Sequence, residues 1–147
     1  MKQILILFIG LSAFTACRKE LDTNAFQVTP YFNCHNQARW TQSSVFDSLV
    51  GTWQWQYVKC DESGFSSFEK NTGLTIEFKK DSSLTAVKGG KTAKTSFLIA
   101  LEDVVNFAVV QDSTIAQLDG HIYFCGNKAV FNASYIDGCD NYFVRLK

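Results

Sequence analysis

The chain has 147 residues, enough for one domain of ordinary size whose core can bury roughly two-thirds of the unfolded surface without structural metals. Fourteen basic residues balance fourteen acidic ones, which excludes a global field that would draw in nucleic acid or an anionic bilayer. A hydrophobic content of 46% with a single proline argues against disorder.

The N-terminus reads MKQILILFIGLSAFTAC. One lysine precedes an apolar run from Ile4 to Phe14 that is too short for a finished transmembrane helix, which is the anatomy of a secretory signal peptide. Small residues then lead into Cys17, and Phe14-Thr15-Ala16-Cys17 resembles a bacterial lipobox, with Phe14 where leucine is commoner. The resemblance implies cleavage before Cys17 and a diacylglycerol on its thiol; the alternative is a plain secreted protein with an incidental cysteine. Acyl chains would anchor the protein firmly, at ~0.8 kcal/mol per buried methylene. Residues 1–16 are therefore expected to be a signal peptide, and the mature protein an outer membrane lipoprotein of a bacterial cell envelope. Periplasmic and surface-facing placements both stay open.

Residues 17–46 show no sustained period and are expected to form the lipidated N-terminus and a tether. Tyr31, Phe32 and Trp40 in its later part are expected to pack on the domain, because Cys34 lies among them. Export makes the four cysteines of the mature chain, Cys34, Cys60, Cys125 and Cys139, an even set in an oxidising compartment, so two disulfides are the default. No CxxC occurs, and His35 beside Cys34 is the only local Cys/His pair, a poor basis for a zinc site. No metal or cofactor site is expected.

From Leu49 onward, within a domain expected to span residues 47–147, the chain reads as strand after strand, with period-2 alternation between turn signals. GTWQWQYVK alternates so as to put Trp53, Trp55 and Tyr57 on one face and Thr52, Gln54 and Gln56 on the other. GLTIEFKK, SLTAVK, KTSFLIAL, VVNFAVV, HIYFC, KAVFNASYI and DNYFVRL follow, separated by Asp81-Ser82, Gly89-Gly90, Glu102-Asp103, Gly126-Asn127 and Asp137-Gly138. Residues 114–118, in STIAQL, are either a short ninth strand or part of a loop. Without them the count is eight strands and no convincing helix. Aromatics at 14%, thirteen of them Phe, suit large side chains between sheet faces.

Eight short antiparallel strands in sequence suggest an all-β up-and-down meander, and one that long closes into a barrel because open edges invite aggregation. Closure sets the last strand antiparallel to the first. Cys60 then ends the first strand at the rim where Cys139 begins the last, which pairs Cys60 with Cys139 and leaves Cys34 for Cys125. Trp53 lies seven residues before Cys60, and Arg145 six after Cys139, so the two offsets agree within one residue. A ninth strand would instead bring Cys60 near Cys125.

Gly51-x-Trp53 opening a first strand, with Arg145 in the last, resembles the lipocalin and fatty-acid-binding (calycin) signature. More closely, LVGTWQW, LTIEFKKDSSL and IDGCDNYFVRL resemble the lipocalin-like domains of small Bacteroidetes lipoproteins. The resemblance covers roughly residues 47–147 and implies an eight-stranded lipocalin-like barrel. It also implies that Trp53 plugs one end while the Arg145 guanidinium lies across its ring in a cation–π contact and caps nearby carbonyls. The chain departs from the pattern at Lys79-Lys80-Asp81-Ser82, where a DG turn is usual, and at CDESGFSSFEK, where a Gly-rich loop is expected.

Little in the chain reads as catalytic. His35 and His121 are the only histidines, and His121 at a strand start reads as solvated. Asp61-Glu62 and Glu102-Asp103 are turn punctuation, and adjacency alone makes no acid/base pair. Every mature cysteine has a disulfide partner in prospect. The expectation is not an enzyme. Trp55, Tyr57, Phe78, Phe97 and Phe107 either fill the barrel or wall an apolar cavity, and the aromatic density favours filling. Two functions follow: a lipid-anchored module binding a small apolar or glycan-like ligand, or an envelope interaction protein (a protease inhibitor or accessory subunit) with a solid barrel. The expected partners are the membrane through the anchor and then the ligand or an envelope protein, with no nucleic acid and a monomeric state.

Overall fold

The computed structural model describes residues 27–62, 65–70, 73–111 and 115–147. Cys17, the signal peptide and the tether up to residue 26 lie outside the described residues, as does Thr114 at the start of the doubtful segment.

Among the described residues two helices precede the sheet, α1 (Val28–His35) and α2 (Gln42–Leu49). They correct the expectation of a chain without helices, and they occupy residues with no visible period. Each has eight residues, about two turns, which is too few to display a 3.6-residue repeat and relies on packing for its stability. The single proline, Pro30, stands in the first turn of α1, where a missing N–H costs nothing. A capping box starts α2: the Thr41 hydroxyl accepts from the Ser44 N–H, and Ser44 Oγ accepts from the Thr41 N–H at 2.8 Å.

Nine strands form one sheet: β1 (Gly51–Glu62), β2 (Phe65–Lys70), β3 (Thr75–Phe78), β4 (Ser83–Lys88), β5 (Lys91–Leu101), β6 (Phe107–Gln111), β7 (His121–Cys125), β8 (Lys128–Asn132) and β9 (Cys139–Arg145). All pairings are antiparallel between strands adjacent in the ring, and β9 pairs back onto β1. Eight strands close a barrel in sequence order. The ninth, β2, pairs only with the far half of β1, from Tyr57 to Glu62. It stands where a loop was expected at CDESGFSSFEK. Residues 116–118 are a 3-10 turn and not a strand, which removes the pairing of Cys60 with Cys125. The disulfides are Cys60–Cys139 and Cys34–Cys125.

The β1–β9 register carries the one-residue mismatch seen in the sequence. Trp53 faces Arg145 and Trp55 faces Phe143, whereas Tyr57 faces Tyr142 and Cys60 faces Cys139, with the shift falling between Trp55 and Tyr57. Gln56 is thus the extra residue of a β-bulge, so the two offsets belong to the two sides of it.

Alternation divides the apolar residues into two clusters. The inner one holds Trp53, Trp55, Phe78, Phe97, Phe107, Phe124, Phe131 and Phe143 within a larger aliphatic set, with Val45 and Leu49 of α2 closing the end where β1 begins. That end is the lower one here. The outer cluster, Tyr123, Val130 and Tyr142, lies on the other face of β7–β9 and is covered by Val28 and Tyr31 of α1 and by Tyr57.

Candidate functional site at the barrel mouth

The lower end is shut by packing. Trp53 is 2% exposed, and its indole Nε1 donates to the Leu49 carbonyl at 2.7 Å. The Arg145 guanidinium sits 4.7 Å from the Trp53 ring centroid and donates to the carbonyls of Val50, at 3.1 Å, and Ser48. Gly51 stands beside the Arg145 guanidinium with φ +133°, a backbone conformation that residues other than glycine rarely adopt. A cavity of about 190 Å³ remains beside this plug, lined by Cys34, Trp40, Ser48, Trp53, Phe124, Gly126 and Arg145.

The upper end is open. A cavity of about 400 Å³ enters it, with Trp55, Val58, Lys88, Gln117, Asp119 and Asn141 among its lining and the Cys60–Cys139 disulfide in its wall. A further cavity of about 190 Å³ shares Lys88 and Gln117 with it and is otherwise mainly apolar, with Leu74, Ala86, Ala93 and Ile115. Trp55 is fixed by its indole N–H, which donates to Asn141 Oδ1 at 3.0 Å, and the Lys88 ammonium stands 6.0 Å above its ring. Partial burial pushes the Asp119 carboxyl above the usual carboxylate range. One side of the mouth is held by Asp140, 3% exposed, whose Oδ1 accepts from the Ala133 and Ser134 N–H groups and from Asn132 Nδ2. Those contacts order the 133–138 connection, which contributes Ala133, Ile136 and Gly138 to the wall.

Of the five aromatic residues expected around a cavity, Trp55 alone lines the mouth. Phe78 and Phe97 meet edge to face at 5.0 Å, and Phe97 stacks on Phe46 of α2 at 5.4 Å. They and Phe107 belong to the filled core. Tyr57 is a correction. The bulge at Gln56 turns it to the outer face, where it stacks on Tyr142 at 4.4 Å and where burial raises its phenol pKa.

No family model matches the chain, and neither the curated proteins nor the solved structures hold a significant match.

Both histidines are engaged. His35 is 2% exposed, stacks on Trp40 at 4.6 Å and accepts the Phe124 N–H at 3.1 Å through Nδ1, while burial lowers its pKa to about 4. His121 is not solvated as expected. It is 9% exposed, bonds through Nε2 to Glu102 Oε2 at 2.9 Å and stacks on Tyr135 at 4.0 Å. Glu102 and Tyr135 come from two other segments, which local sequence could not announce. The mouth residues Lys88, Gln117, Asp119 and Asn141 were equally hidden. The one signal for Lys88 was its place beside Gly89-Gly90 at the tip of a hairpin.

Proposed function

We propose that this chain is a lipid-anchored lipoprotein of a bacterial envelope whose lipocalin-like domain binds a small ligand at the barrel mouth. The carrying observation is the asymmetry of the barrel. Its lower end and middle are filled, and the roughly 400 Å³ opening at the other end falls in the size range of small-molecule sites. The floor is an indole, and the walls offer an ammonium, two carboxylates and two amides. That chemistry favours an amphiphilic or glycan-like ligand over a long alkyl chain. The Phe14-Thr15-Ala16-Cys17 boundary supports the anchor. Binding rather than catalysis is supported by the engagement of both histidines and of all four cysteines of the barrel and α1 in structural contacts. We expect a monomer that does not bind nucleic acid.

Native mass spectrometry of the full chain, extracted from membranes in mild detergent, tests the ligand reading. A stoichiometric small-molecule adduct that disappears on unfolding is expected; consistently bare protein, together with no stabilisation by any member of a small-ligand panel, contradicts it.

One observation favours the second reading, an envelope interaction protein. The β5–β6 hairpin exposes Val104 at 92% and Val105 at 55%, and Leu98 and Val110, directly paired on the outer face, are 55% and 47% exposed. Exposed apolar groups so close together suit a partner surface. Envelope protein recovered by wild-type chain but not by Val104→Asp would favour that reading.

A further inference from the structure

The hairpin between β4 and β5 carries a conflict of charges. Lys88 and Lys91 are direct cross-strand partners, separated only by Gly89 and Gly90. Both glycines have positive φ, 56° and 77°, the two-residue turn that fixes strand register most tightly. The lysines are therefore held opposite one another, and like charges so placed are destabilising. Their positions continue the inward face of Ala86 and Ala93, and all four residues line the same cavity of about 190 Å³. Leu74 and Ile115, 4% and 3% exposed, supply most of the remaining wall, with Thr92 and Gln117. Among the described residues neither lysine forms an ion pair. Glu69 and Asp119 border only the wider cavity that Lys88 shares. Two cations thus stand side by side without an ion pair at the rim of an apolar hollow, with only the Trp55 ring 6.0 Å from the Lys88 ammonium.

We propose that the mouth binds a small organic carboxylate, with its anionic group between Lys88 and Lys91 and its apolar part against Leu74, Ala86 and Ile115. This rests on the reading of the mouth as a ligand site and narrows its ligand class. The carboxylate relieves the repulsion between the ammonium groups, so the energy lost in placing them together is recovered on binding. Charged hydrogen bonds of this kind are the stronger ones. The apolar hollow selects against fully hydrated anions, which would leave it empty.

The probe is 3-phenylpropionate against its uncharged amide, titrated into the full chain by calorimetry. The acid is expected to bind at least about tenfold more tightly than the amide, the difference a charged hydrogen bond supplies. Lys88→Gln combined with Lys91→Gln should remove that advantage, whereas Lys94→Gln, exposed on the same strand and outside the cavity, should keep it within about twofold. Lys91→Gln should also raise the Tm of ligand-free protein, by about 2 °C, because the repulsion goes. A lower Tm would remove the premise. Equal affinity for acid and amide overturns the anion site while leaving the mouth as a binding site. Retained acid preference in the double variant, or no binding of the acid, overturns it as well.

Discussion

His35 shows how one side chain makes the fold sensitive to pH. Its ring is packed against Trp40, and Nδ1 is committed as the acceptor for the Phe124 N–H, so the neutral form is the one the fold accommodates. The pKa falls from 6.5 to about 4. Because the folded value is depressed, the contribution is complete above pH 6.5 and is lost as pH falls toward 4, where the unfolded chain takes up a proton that the native one refuses. The loss is on the order of 3 kcal/mol over that window. Denaturant midpoints from pH 4 to 8 should show this slope, and His35→Phe should be less stable at pH 7 but without it. Trp53 and Arg145 act together at the same end of the barrel. Trp53→Ala should cost about 3–5 kcal/mol as a core truncation. Arg145→Ala should cost about 0.5–2 kcal/mol through the lost ring contact and the uncapped Ser48 and Val50 carbonyls. Chemical denaturation of the two variants gives the ranking, and an Arg145 cost equal to that of Trp53 would contradict it. The spacing of these two residues from the cysteines was visible in the sequence because a strand pair counts residues one for one. Tyr57 was misplaced because Gln56 carries no mark of a bulge, and a bulge reverses every face beyond it.

At the scale of elements, the strands of the ring were legible because each is a short alternating run between turn residues. The helices were not, since two turns show no period and α2 owes its place to Val45 and Leu49 reaching the core. Nor was β2 visible, because FSSFEK gives a weak alternation and its pairing with β1 is what makes it a strand. The 133–138 connection is another element that only contacts explain. Asp140 satisfies two backbone N–H groups there, so Asp140→Ala should cost about 2–3 kcal/mol and loosen the mouth wall. Asp140→Asn, which retains an acceptor, should recover much of the loss; hydrogen exchange at Ala133 and Ser134 reads the local effect. Cys60→Ser removes the tie between β1 and β9 at the opposite side of the bulge from Trp53. A loss of about 2–5 kcal/mol is expected. Non-reducing peptide maps of the wild type should contain Cys60–Cys139 and Cys34–Cys125 peptides; a Cys60–Cys125 peptide would contradict the closed ring.

For the whole molecule, closure could be argued from sequence because two cysteines and the Trp53/Arg145 pair measure one seam from both ends. The mouth could not, because its walls come from β1, β2, β4, β9 and two connections that meet only once the ring is shut. Of the aromatic row, for which the sequence favoured filling over a cavity, Phe78, Phe97 and Phe107 are the filling, and the opening lies above them with Trp55 as the boundary. The mouth cavity and the smaller one beside the Arg145 plug differ in character. The central claim is that ligand enters at the mouth and that the plug is structural. It is tested most directly by the occupancy of the small-molecule adduct in native mass spectra of two folded variants. Ala116→Trp places an indole on an exposed residue of the mouth lining, and Arg145→Ala opens the plug. We expect the adduct to be lost in Ala116→Trp and kept at wild-type occupancy in Arg145→Ala; an adduct kept in the first and lost in the second would contradict the claim.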